Sequence, residues 1–169
     1  RLETLFDNGA QQTLMQVQGD RQTDQVFAAN GVKLREDQFI LSASGRERLL
    51  EQRFAESGKL TEERRWSGGK LESERKYYLN GQMRSQLVYA AEAQQSFRVD
   101  SNYYDNGKLS SEGRYRMRSG YRDYPVGLHR FYFSDGKLRR DVHYNDKGQP
   151  TRERAWDEQG SLTQDDEVF

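Results

Sequence analysis

Two histidines, His129 and His143, are the only imidazoles in this chain, and no cysteine accompanies them. A zinc site draws three or four protein ligands mostly from His and Cys, so this pair, fourteen residues apart, falls short and is expected to pack or to face solvent. No Ser, His and Asp stand in an arrangement that marks a nucleophilic triad. Asp105-Asn106-Gly107 and Asn145-Asp146-Lys147-Gly148 resemble fragments of calcium loops, yet they lack the alternating oxygen ligands and distal Glu of an EF-hand. Trp66-Ser67-Gly68-Gly69-Lys70-Leu71 is glycine-rich without the spacing of a phosphate loop. Carboxylates abound, but acid and base catalysis would need two of them in a cleft with separated pKa values. An enzymatic reading therefore depends on whether folding buries such a pair, and the expectation is a non-enzyme with no cofactor and no metal.

One stretch has the chemistry of recognition. Arg114-Tyr115-Arg116-Met117-Arg118-Ser119-Gly120-Tyr121-Arg122-Asp123-Tyr124-Pro125-Val126-Gly127 is the densest run of Arg and Tyr in the chain. Tyr supplies rigid amphipathic area and Arg a planar set of donors, which is why both are enriched at binding hot spots. Arg116, Arg118, Tyr121, Arg122 and Tyr124 are the candidate anchors for a partner. Three readings stand side by side: a long hairpin with a solvated tip, a protein interface, and a platform on which single-stranded nucleic acid stacks.

The elements that must position this run follow from a repeated phrase. An aromatic residue, a turn ending in Gly, a Leu or Met two residues on and an acid three beyond recur as Phe54, Gly58, Leu60, Glu63; Trp66, Gly69, Leu71, Glu74; Tyr104, Gly107, Leu109, Glu112; and Phe133, Gly136, Leu138, Asp141. Looser copies run through Tyr78, Gly81 and Met83 and through Trp156, Gly160, Leu162 and Asp165. A nearly fixed interval of eleven or twelve residues between turns marks a repeat protein. Asp7-Asn8-Gly9, Asn80-Gly81, Asn106-Gly107 and Asp135-Gly136 read as hairpin turns in which both residues take positive φ. Apolar residues alternate between them, placing Met83, Leu87 and Tyr89, or Leu109, Tyr115 and Met117, or Leu138, Val142 and Tyr144, on one face. The expected fold is all-β: an antiparallel meander of repeated hairpins, roughly a dozen strands of about eight residues, strongly twisted.

On this pattern Leu60, Leu71, Met83, Leu109 and Leu138 with Trp66, Tyr89, Tyr115 and Tyr144 form a buried stripe. The acids stand on the opposite face, with Arg65, Lys76, Arg114 and His143 two residues beyond them, as columns of charge facing solvent. Two stretches break the rhythm. Between Gly81 and Gly107, Ala90 to Gln95 is expected to supply the missing turn, and the interval from Gly107 to Gly136 holds the Arg and Tyr run.

Composition agrees. Of 169 residues a third are apolar and a third charged, with 27 basic against 27 acidic side chains. Zero net charge removes the simplest reason to expect nucleic acid, which draws on a net basic surface. Recurrent aromatics and only two prolines argue for an ordered array in which each unit buries a narrow stripe against its neighbours. No apolar run is long enough to span a bilayer. The absence of cysteine excludes disulfides.

The segments SGKLTEERRWSGGKLESERKYYLNGQMRSQLVY (57–89), YYDNGKLSSEGRY (103–115) and 131–156 resemble the MORN-variant repeat proteins of the YwqK type. The resemblance covers residues 50–165 clearly and residues 1–49 in degenerate form, as one repeat domain over 1–169. It implies the repeat-sheet fold. It also implies a non-catalytic protein binder, an immunity protein or antitoxin that occludes a cognate bacterial toxin or secreted effector, with a structural scaffold of the cell envelope as the alternative. Its recurring positions are structural, so no functional residue is carried over. A chain that starts at Arg1 and holds no cysteine is what remains once an export or lipoprotein leader is removed, so the expected location is the periplasm, with the cytoplasm the alternative.

Overall fold

The computed structural model describes residues 1–167, and every regular element in them is a β-strand. A first compact unit, Arg1–Gly81, contains β1 (Leu2–Leu5), β2 (Gln11–Gln18), β3 (Arg21–Phe27), β4 (Lys33–Ser42), β5 (Gly45–Phe54), β6 (Leu60–Ser67) and β7 (Lys70–Tyr77). A second, Gln82–Phe169, contains β8 (Met83–Glu92), β9 (Gln95–Tyr103), β10 (Leu109–Met117), β11 (Tyr124–Tyr132), β12 (Leu138–Tyr144), β13 (Pro150–Trp156) and β14 (Leu162–Glu167). The strands take their places in chain order as an antiparallel meander, fourteen in number where the repeat interval gives about a dozen.

Two kinds of turn join them. Two-residue turns at Gly19-Asp20, Ala43-Ser44, Gly68-Gly69 and Ala93-Gln94 close β2–β3, β4–β5, β6–β7 and β8–β9. The repeated phrase builds a wider turn: Phe6 N–H donates to the Ala10 carbonyl and Gly9 N–H to the Phe6 carbonyl, both at 2.8 Å, and the same pair of bonds recurs from Ala28 to Val32 through Asp157 to Ser161. In these turns the Gly alone is left-handed, as at Gly9 (φ +79°) and Gly107 (φ +82°). The expectation of positive φ at both residues is thereby corrected, because the preceding Asn or Asp works through its side chain instead. Asn8, Asn30, Asn106 and Asp135 accept a hydrogen bond from the backbone N–H two residues on, at 2.9–3.1 Å. The lysine after the Gly ties successive turns together: Lys59 Nζ reaches the Leu79 carbonyl (2.6 Å), Lys108 that of Asp135 (2.7 Å) and Lys137 that of Glu158 (2.6 Å).

The turn expected within Ala90 to Gln95 is present, and its two central residues are the non-glycine residues at positive φ among those described: Ala93 (+46°) and Gln94 (+65°). Side chains with a Cβ enter that region at a cost of roughly 1–2 kcal/mol. Replacing Ala93-Gln94 by Asn-Gly is expected to stabilise the second unit by about 1 kcal/mol. A urea titration checks this, and an unchanged midpoint would count against the strain.

A β-bulge follows each repeated Leu and reorders the faces. Leu60 pairs with Phe54 and Glu62 with Arg53, leaving Thr61 as the extra residue. The same shift follows Leu71, Leu109, Leu138 and Leu162. One additional residue inverts the alternation that follows it. Leu60 and Glu63 therefore share a face, as do Leu109 and Glu112, and Leu138 and Asp141, while Leu109 lies opposite Tyr115 and Leu138 opposite Tyr144. Where the extra residue is Thr, its hydroxyl holds the bulge: Thr61 donates to the Arg53 carbonyl (3.0 Å), Thr151 to His143 (3.3 Å) and Thr163 to Ala155 (3.1 Å).

Burial follows the bulges. The nine residues of the expected stripe are all half-buried, none fully. Among the described residues the buried apolar side chains are Leu14, Phe39 and Leu50 in the first unit and Phe97, Val126 and Val142 in the second. The expected column of acids does not uniformly face solvent: Glu63 is 6% exposed and Asp141 2%, joined by Glu51 at 4%, while Glu74 and Glu112 are half-buried and Asp165 is exposed. The three buried acids sit at mid-strand beneath guanidiniums from their own strand and from neighbouring ones. Glu63 takes Arg65 (2.8 Å) and Arg75 (3.3 Å), and Asp141 takes Arg154 through both oxygens (3.1 and 2.5 Å).

Candidate functional site

A buried carboxylate pair, the condition for an enzymatic reading, does form in the first unit. Asp37 and Glu51 face each other across β4 and β5, both under 8% exposed. Three arginines neutralise them. Arg35 lies 2.6 Å from Asp37, Arg48 bridges Asp37 (3.5 Å) and Glu51 (3.2 Å), and Arg53 bonds Glu51 at 2.9 Å. Burial pushes the Glu51 carboxyl up, but the Arg53 hydrogen bond and the charges of Arg35, Arg53 and Arg48 outweigh it and hold the group below its ordinary value. A general acid needs the opposite shift. From Arg53 the ion pairs continue through Glu62, Arg64, Glu74 and Lys76, so the pair is one part of a structural ladder.

Ser111, His129 and Asp100 meet around a cavity of about 50 Å³ in the second unit. None is set to pass a proton to another. His129 Nε2 bonds the Arg114 carbonyl at 2.8 Å, Ser111 accepts from Asn102 at 3.1 Å, and Asp100 is gripped by Arg98 through both oxygens at 2.6 and 3.0 Å. His129 packs as expected of a lone histidine: it is 4% exposed, edge-on between Tyr115 and Tyr144, and lies over Gly113, whose missing Cβ makes room for the ring. Among the described residues no group of three or more His, Asp or Glu is placed to hold a metal ion.

The Arg and Tyr run forms the end of β10, an irregular loop at 118–123, and the start of β11. Its five predicted anchors separate by role. Arg116 is a tie. Its guanidinium reaches Gln95 Oε1 beside the β8–β9 turn, the Tyr124 hydroxyl (3.2 Å) and the Asp146 carbonyl in the β12–β13 turn (3.3 Å), so one side chain joins three hairpin ends. Tyr124 is half-buried with its ring against Gly148. Arg118, Tyr121 and Arg122 are exposed, Tyr121 by 71%. The Arg118 guanidinium lies 4.8 Å from the Tyr121 ring centre and 5.8 Å from that of Tyr124, a cation–π stack.

Residues outside the predicted set hold this loop. Asp123 receives Arg98 Nη1 on one oxygen (2.8 Å) and the Arg118 backbone N–H on the other (3.4 Å). Arg98 lies against the Tyr115 ring at 5.1 Å. Arg98, Asp100, Tyr115, Arg122, Asp123 and Pro125 line an open cleft of about 450 Å³ beside the loop. Burial, and then the nearby Asp100 charge, push the Tyr115 phenol up, so it stays a neutral donor. Nothing in the local sequence singles out Arg98, which arrives from β9 only through strand register.

Residues 73–91, 101–117 and 125–146 match the family model of the MORN repeat variant, about a third of the chain, and take in the complete copies of the repeated phrase at Tyr104–Glu112 and Phe133–Asp141. The second and third matches flank the 118–123 loop and leave it out. No curated protein matches the chain. Among solved structures, one that it is similar to is a protein of unknown function from Bacteroides fragilis NCTC 9343, with 11% identity, 96% of this chain and 95% of that chain covered, and a TM-score of 0.21.

Proposed function

We propose that this chain is a non-catalytic protein-binding repeat module, and that its role is that of an immunity protein which occludes a cognate bacterial toxin or secreted effector. The observation that carries the reading is the loop at 118–123. It departs from the array's other turns, which are two-residue hairpins or wider turns of the repeated phrase, and it presents Arg118, Tyr121 and Arg122 to solvent. A solvated turn needs neither a guanidinium stack nor an ion pair to hold it. The MORN-variant matches support a repeat scaffold, and the ion-paired carboxylates argue against acid and base chemistry. The mechanism is steric: the module covers the toxin's active site or locks a mobile element, with no reaction of its own.

The test is co-purification with the product of the neighbouring gene, together with survival of cells that express that product. Tyr121→Ala with Arg122→Ala is expected to leave the circular dichroism spectrum and melting midpoint unchanged, since both side chains are exposed. It should weaken partner binding by at least about 2 kcal/mol, roughly thirtyfold. An unchanged affinity in calorimetric titration moves the contact to the regular strands. Co-purification without protection of the cells favours an envelope scaffold over an immunity protein.

A further inference from the structure

We infer that the 118–123 loop is a preorganised tip that recognises a carboxylate-rich protein segment, and that Arg98 and Asp123 are the positioning residues that hold it ready. The inference rests on the reading of the loop as the partner-binding surface and specifies the chemistry it selects.

Charge gives the partner its sign. Around the tip stand Arg98, Arg114, Arg116, Arg118 and Arg122, against Glu92, Asp100, Asp123 and Asp146. Three of these carboxylates are committed inside the tip: Glu92 to Arg114 at 2.7 Å, Asp100 and Asp123 to Arg98. Arg118 and Arg122 have no carboxylate partner among the described residues. Two exposed guanidiniums therefore lie on a chain whose net charge is zero. Guanidinium presents paired N–H groups that match a carboxylate with two parallel bonds.

Geometry separates an acidic protein segment from a nucleic acid. Base stacking needs an open aromatic face. Tyr121 keeps one open face, the other carrying the Arg118 guanidinium, and the Tyr124 ring is held against Gly148, so the tip offers a single stacking face where successive bases need several. The clamp matters because a tip fixed before binding loses less conformational freedom on binding. Asp123 makes this link at both ends, joining strand β9 through Arg98 and closing the loop on the Arg118 amide.

The test uses isotope-labelled full chain at low ionic strength, titrated with hexaglutamate peptide and separately with octauridylate. Hexaglutamate is expected to shift the amide and Arg side-chain signals of Arg118 to Asp123. The apparent Kd should rise about tenfold in Arg118→Glu with Arg122→Glu, and high salt should abolish the shifts. Asp123→Asn keeps the loop's size while removing the anchoring charge. It should leave the melting midpoint near that of the parent and speed hydrogen exchange at residues 118–122; this readout is chosen because removing a negative charge would itself favour hexaglutamate. Tip signals unmoved by hexaglutamate, or moved by octauridylate at lower concentration, overturn the partner class. Unaltered exchange in Asp123→Asn overturns the clamp. Because these probes need no natural partner, a partner that co-purifies while hexaglutamate leaves the tip untouched keeps the binding-module reading and removes this one. The converse result leaves an acid-recognising tip without the immunity role.

Discussion

Gly113→Ala is expected to destabilise the second unit by about 3 kcal/mol, combining an overpacking cost with the loss of a buried hydrogen bond and two ring contacts. A Cβ at position 113 would lie 2.7 Å from His129 Cγ and closer still to Nδ1 and Cε1, and real Cβ contacts do not come that near. The ring cannot swing aside at low cost. It is 4% exposed, edge-on to Tyr115 at 5.0 Å and Tyr144 at 4.9 Å, and bonded through Nε2 to the Arg114 carbonyl on the same strand as the glycine. Thermal unfolding followed by Trp156 fluorescence in a Trp66→Phe background measures the loss. The double variant Gly113→Ala with His129→Ala removes the collision and should be less destabilised than the sum of its single changes. A Gly113→Ala protein as stable as its parent would show that His129 has room to move, and the packing described here would be wrong.

How far the sequence alone reaches is clearest at the turns. Gly9, Gly58, Gly107 and Gly136 are legible because a left-handed residue at the end of each turn strongly favours glycine, and the interval between such glycines gives the strand lengths directly. The faces are not legible. The bulge after each Leu adds one unpaired residue, and a pattern of alternate apolar positions has no mark for it, so every residue beyond the bulge is assigned to the wrong side of the Leu. This single displacement moves Glu63 and Asp141 from an expected solvent column to burial beneath arginines. In the loop, local chemistry singled out five residues without separating them: Arg118, Tyr121 and Arg122 are exposed, whereas Arg116 and Tyr124 are ties between hairpin ends. The Arg98 clamp lies twenty-five residues before Asp123 and depends on the register of β9 against β10, which composition cannot supply.

Glu51→Ala should cost the first unit about 2–3 kcal/mol, toward the low end for breaking a buried ion pair, because its arginines can turn partly to solvent. The carboxylate is 5% exposed, whereas Arg35, Arg48 and Arg53 are 37%, 36% and 51% exposed. Removing it leaves Arg35 and Arg48 with Asp37 alone and Arg53 with Glu62 alone. The same chemistry sets an acid limit. In Glu51, Glu63 and Glu74 burial pushes the carboxyl up, but arginine hydrogen bonds and charges, with Lys76 adding to those at Glu74, outweigh it; at Glu36 the bonds from Lys33, Gln25 and Gln38 do the same. All four are held below the ordinary value of about 4.5, and all four lie in the first unit. A carboxyl with a lower pKa in the folded than in the unfolded chain contributes its full stability above the unfolded value and loses it as pH falls through the folded one. The first unit should therefore hold its melting midpoint from neutrality to about pH 5 and lose it steeply below about 4.5. Trp66, beside Arg48 at 5.4 Å, reports on that unit in a Trp156→Phe background. Glu51→Ala should show a shallower acid slope than its parent, because one of the titrating groups is gone. A parent midpoint that stays flat to pH 3 would mean that these ion pairs do not hold the unit together.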